Sequence, residues 1–215
     1  ILSLVRRLGI ILLMYFVCRI LFYFFNLPYF SVLPVKETFL HFIYGIRFDI
    51  SAVVISNVLF IILSLIPFRN RSNKVYLRSL KILFYGINSI AILSNCIDLA
   101  YFRFTLKRTT VDAFSFFTME GNDLFRLLPL FLKDYWYVFV IWIALVVWMV
   151  FLYRRTEQKQ DSGMNSSRYK FSNYIYQGIA SILFSALCII GYRGGLQLRP
   201  IGVIDAGGYT TARNI

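Results

Sequence analysis

YWYVFVIWIALVVWMVFLY, residues 135–153, carries no charge in nineteen positions, opens on the aromatic triplet Tyr135-Trp136-Tyr137, and is closed by Arg154 and Arg155. A membrane-spanning helix needs about 20 mostly apolar residues, with aromatic side chains favoured at the interface. Backbone N–H and C=O groups in lipid must bond within their own segment, so this run reads as a transmembrane helix. Four further runs qualify on the same grounds, at 8–25, 50–67, 82–102 and 174–192. Asn26 with Pro28 stops the first, and Pro67 stops the second. The expected fold is an all-α integral membrane domain of five transmembrane helices over 1–192, followed by an external linker, 193–215.

Composition agrees. The 215 residues are 59% hydrophobic and 15% charged, with mean hydropathy +0.67, where a soluble domain has about 45–50% and about 25%. The net charge of +13 does not point to nucleic acid, because the basic residues sit in short clusters between apolar runs. Cys18, Cys96 and Cys188 each lie in a different apolar run and read as small buried hydrophobes. His41 is the lone histidine, and no metal-binding constellation is visible. The start at Ile1 suggests a trimmed N-terminus.

The loops orient the chain. Arg6 and Arg7 precede the first run; Arg69, Arg71, Lys74, Arg78 and Lys81 lie between the second and third; Arg154, Arg155, Lys159, Arg168 and Lys170 lie between the fourth and fifth. All twelve fall on one side, accompanied only by Glu157 and Asp161. The positive-inside rule makes that side cytoplasmic, so the expected topology is N-in and C-out. No internal repeat of the kind that builds secondary transporters is visible. The external loop 103–134 reads as two short amphipathic helices in the interface: one with Phe114 and Phe117, the other with Leu124, Leu127, Leu128 and Phe131 after a Gly121-Asn122-Asp123 turn.

Several polar groups then fall near one leaflet. Arg47 and Asp49 are expected to open the second span; at i, i+2 they do not share a helix face, so each seeks its own partner. Asn95 and Asp98, three apart, share a face near the end of the third. Arg193, Gln197 and Arg199 surround Gly194 and Gly195 where the fifth run gives out. Arginine forks suit phosphate oxygens, but Arg at a span end also commonly just snorkels to the headgroups. Arg19, deep in the first span, needs a polar partner or a tilted helix to be tolerable.

Together Gly45-Ile-Arg-Phe-Asp49, Asn95-Cys-Ile-Asp98-Leu-Ala-Tyr-Phe102, Gly121-Asn-Asp123, Leu132-Lys-Asp-Tyr-Trp136 and Arg193-Gly-Gly-Leu-Gln-Leu-Arg-Pro-Ile201 resemble the membrane half of the lipoteichoic acid synthase and phosphoglycerol transferase family. The resemblance implies a bacterial cytoplasmic-membrane protein. It also implies an extracellular sulfatase-like catalytic domain following the spans, with a threonine nucleophile and a divalent metal, usually manganese, that moves glycerol phosphate from phosphatidylglycerol. Thr210 and Thr211 are followed by no metal-binding set, so the nucleophile is carried onto neither. This chain itself is expected to hold no cofactor and no catalytic residue. Its expected roles are anchoring and positioning an anionic phospholipid such as phosphatidylglycerol. Arg47, Arg193, Gln197 and Arg199 would contact the headgroup or the catalytic domain, and Asp49, Asn95 and Asp98 would orient them. A non-enzymatic multi-pass scaffold is the alternative, with a small transporter behind it.

Overall fold

The apolar runs fold as helices wherever the computed structural model describes the chain, which is at residues 2–30, 34–65, 74–105, 133–161 and 171–195. The helices are α1 (Leu2–Phe25), α2 (Leu27–Phe30), α3 (Val35–Ser56), α4 (Val58–Leu65), α5 (Lys74–Thr105), α6 (Trp136–Asp161) and α7 (Phe171–Arg193). Among the described residues there is no strand. Leu2–Phe25, Val35–Ser56, Lys74–Arg103 and Trp136–Gln158 are each long and apolar enough to cross a membrane. The chain is a multi-pass membrane protein, all-helical among the described residues.

Asn26 ends α1. Its N–H still reaches the Phe22 carbonyl at 3.1 Å, while its fully buried amide donates to Phe22 O at 3.0 Å and to Leu99 O on α5 at 3.4 Å. The second apolar run is built differently from the expected span 50–67. Helix begins at Val35, where the Pro34 carbonyl accepts the N–H groups of Glu37 and Thr38. It breaks at Asn57 and resumes as α4. Arg47-Phe48-Asp49 therefore lie well inside α3 instead of opening it. Hydropathy reports where lipid begins and helical hydrogen bonding does not, so Lys36, Glu37 and His41 are no barrier to an earlier start. The two expected interfacial helices, the linker beyond Gly195 and the loop 162–170 lie outside the described residues.

Side-chain contacts give the relative directions. Arg7 stacks on Tyr153 and Phe25 on Tyr137, so α1 and α6 are antiparallel. Phe22 meets Phe102, and Arg103 donates to the Phe25 carbonyl at 2.6 Å, so α1 and α5 are parallel. Asn57 meets Asn88, Phe60 meets Phe84 and Tyr76 bonds the Leu63 carbonyl, so α4 descends against α5. Ile11 and Met14 of α1, Phe60 of α4, Phe84 and Ile92 of α5 and Met149 of α6 are fully buried at the centre. Outward faces are apolar, as in Ile90 (71% exposed) and Ile182 (72%). A lipid solvent explains this: helix association then rests on close packing and interhelical hydrogen bonds more than on burying oil from water.

Candidate functional site

Helix α7 lies along α3, antiparallel to it, and the contact tightens toward the end of α7. Gly191 permits the approach: a Cβ there would meet Ile50 Cγ2 at 3.1 Å and Val54 Cγ2 at 3.6 Å. One residue on, Ser51 Oγ donates to the Tyr192 carbonyl at 2.7 Å. Gly194 (φ 70°) and Gly195 (φ 145°) then turn the chain out of the helix. The Gly194 N–H bonds the Gly191 carbonyl and the Gly195 N–H bonds the Ile190 carbonyl, each at 3.0 Å. That is the paired bonding of a Schellman cap, whose left-handed residue favours glycine.

Arg47 completes the cap from the neighbouring helix. Its Nε donates to the Gly194 carbonyl at 2.8 Å, and Nη2 donates to the same oxygen. A guanidinium here meets the negative end of the α7 dipole as well as a carbonyl that the helix leaves open. Space is tight, since a Cβ on Gly195 would lie 3.1 Å from Arg47 Nη2. Arg193 stands exposed in the last turn of α7. Two guanidiniums and a glycine turn thus share one edge of the bundle.

On the facing side of α3, Arg19 of α1 forms an ion pair with Asp49 at 2.6 Å and donates from the same Nη2 to the Gly45 carbonyl at 2.6 Å. Gly45 and Asp49 are one turn apart, which puts them on a common face that Arg47 does not share. Gly45 is the slot for the guanidinium: a Cβ would sit 0.9 Å from Arg19 Nη1. The expectation that Arg47 and Asp49 find different partners holds, and so does the requirement of a polar partner for Arg19.

Depth follows from helix rise. Arg19 is twelve residues from Arg7 along α1, about 18 Å at about 1.5 Å per residue. It is six residues short of Phe25, about 9 Å below the end of α1. Arg47, flanked by Gly45 and Asp49, is at that level, so α7 ends recessed within the bundle.

The remaining expected residues lie elsewhere. Asn95 turns its amide back onto the Ala91 carbonyl of its own helix at 2.9 Å, and Asp98 is buried on α5. Gln197 and Arg199 lie outside the described residues. Sequence reading named Gly45 only within a short pattern and missed Ser51 and Asn57. Asn57 and Asn88, both fully buried, exchange amide hydrogen bonds at 2.9 and 2.8 Å between the α3–α4 break and α5. The signal was a polar residue inside an apolar run, present at both Asn57 and Asn88.

No family model matches the chain, and neither a curated protein nor a solved structure matches it.

Proposed function

We propose that this bundle is the membrane anchor and lipid-positioning unit of a phosphoglycerol-type transferase of the sulfatase-like family, acting in a bacterial cytoplasmic membrane on an anionic phospholipid such as phosphatidylglycerol. In this reading α7 is a fifth span, the N-terminus is cytoplasmic, and the chain leaves α7 on the external face toward a manganese-dependent catalytic domain. The supporting observation is the joint itself: Ser51 and Arg47 of α3 hold the last turn of α7 and the glycine cap that follows it by the Tyr192 and Gly194 carbonyls. An exit gripped in this way holds whatever follows at a set place over the membrane. The edge also carries two guanidiniums, suited to phosphate oxygens. Asp49, through Arg19, keeps the turn of α3 around Arg47 packed on α1.

The test uses the full-length protein in phosphatidylglycerol vesicles. Arg193→Ala and Arg199→Ala should each lower lipid turnover by roughly tenfold, the loss of one charge-assisted phosphate contact, with membrane insertion unchanged. Turnover at the wild-type rate in both variants would remove the headgroup role.

A scaffold without enzymatic work is favoured by one observation: Arg19, Asp49, Asn57 and Asn88 are engaged in bonds between helices. On that reading Arg47→Ala lowers the melting temperature in detergent, and the full-length protein turns over no lipid.

A further inference from the structure

At the opposite end of the bundle a shallow, open groove of about 530 Å³ lies between α1 and α6. On α1 it is lined by Arg6, Gly9, Ile10 and Leu13, the i, i+3, i+4, i+7 positions of one helix face. On α6 the lining is Leu152, Arg155 and Thr156, again one face. The antiparallel pairing of the two helices sets the arginines together at one end and the leucines deeper. From Arg6 to Leu13 the groove runs seven residues, about 10 Å along the helix axis.

Its charges are free to take a ligand. Among the described residues neither Arg6 nor Arg155 has a carboxylate in ion-pair range. Glu157, the nearby acid, is held by Lys81 at 2.7 Å. The Arg155 guanidinium stacks 4.5 Å over the Phe151 ring, which holds it at the groove edge. The Thr156 hydroxyl donates to the Leu152 carbonyl at 2.7 Å, leaving the deeper wall apolar. Arg7, Arg78 and Arg154 lie on the same end of the bundle and add to its positive field.

We infer that this groove is a binding site for an anionic phospholipid of the leaflet at the basic end, its phosphate between Arg6 and Arg155 and the start of an acyl chain over Gly9 and Leu13. Charge complementarity selects the headgroup, and an apolar floor opening sideways toward lipid selects a lipid over a free phosphate. Gly9 leaves room for the chain: a Cβ there meets nothing within 4 Å, so the glycine is not required by protein packing. The site lies at the other end of the bundle from the α3–α7 joint and does not depend on the transferase reading.

The experiment is photo-cross-linking in vesicles of phosphatidylcholine doped with phosphatidylglycerol carrying a diazirine close to the glycerol, followed by peptide mapping. Cross-links should fall on segments 6–13 and 152–156 and survive excess inorganic phosphate. Diazirine phosphatidylcholine should label them roughly thirtyfold less, as expected for two arginines near a membrane surface at about 1 kcal/mol each. Arg6→Ala with Arg155→Ala should reduce labelling to the phosphatidylcholine level. Gly9→Leu, which favours helix and fills the groove, should abolish it with the melting temperature maintained. Equal labelling by the two lipids, or labelling unchanged in the double-alanine variant, overturns the site; that variant decides the matter should Gly9→Leu not fold. Competition by free phosphate would assign the arginines to a soluble anion and also overturn it. Loss of turnover in the Arg193 and Arg199 variants would leave these outcomes unaffected, so the two readings fail separately.

Discussion

The Arg19 guanidinium exists at its depth because one residue on the neighbouring helix has no side chain. A charge about 9 Å inside the end of α1 is costly unless it is paired and its remaining donors are used. Asp49 supplies the charge and the Gly45 carbonyl takes a further hydrogen bond. Gly45→Ala drives a methyl into the guanidinium and should destabilise the protein in detergent by up to about 3–5 kcal/mol, the range for breaking a buried pair. In an Arg19→Ala background the same substitution should be nearly silent, since an alanine suits a helix better than glycine by about 1 kcal/mol. A double-mutant cycle from denaturant melts reads this coupling; additive losses would show that Gly45 serves some other contact. The sequence showed Arg19 as a problem to be solved and Asp49 as a residue in search of a partner. It did not show that they answer each other, because thirty residues and a helix reversal separate them. Gly45 was legible only as part of a short pattern, since its role depends on a side chain from another helix.

Helix ends and breaks were less legible than the helices. The runs at 8–25, 82–102 and 174–192 lie within observed helices, and 135–153 does from Trp136 on, because a long apolar run in lipid has one way to satisfy its backbone. The second run was misjudged: α3 starts at Val35, and Asn57 interrupts it. The Asn57 N–H still bonds the Val53 carbonyl at 3.1 Å, and its amide donates to that oxygen at 3.0 Å and to Asn88 Oδ1 at 2.9 Å. Such a reciprocal amide pair is demanding, since removing one partner leaves a buried polar group unsatisfied at about 1–3 kcal/mol, while replacing both costs little. Asn57→Leu or Asn88→Leu alone should therefore lower stability by about that amount, and the double leucine variant should recover most of it. Melting temperatures of the three proteins in one detergent check this. A double variant worse than either single would mean that the amides hold the helix break itself. The joint of α3 and α7 is the other half-legible element. Its arginines and glycines stand out in sequence, but that Arg47 spends its guanidinium on the Gly194 carbonyl follows only from the antiparallel register, which no local pattern encodes.

For the molecule as a whole, the proposal that α7 is a fifth span turns on its length and its exit. Phe171–Arg193 is 23 residues, about 34 Å of helix against a hydrocarbon core of about 30 Å. Its exit is recessed: Arg47 meets Gly194 at the level of Arg19, about 9 Å short of the end of α1. Arg47 and Ser51 hold that exit against α3. The antiparallel packing on α3 makes α7 run the same way as α1 and α5. The ends bearing Arg6, Arg7, Lys81, Arg154 and Arg155 then share one side, which is the cytoplasmic one in the proposed orientation. Alkaline phosphatase, active only when exported, should therefore be inactive when fused after Asn70 or Ser167 and active when fused after Ile215. Activity at Asn70 would invert the orientation. Inactivity at all three sites would mean that α7 does not cross, which would place the Arg193-Gly194-Gly195 exit on the cytoplasmic side and remove the external joint on which the transferase reading depends.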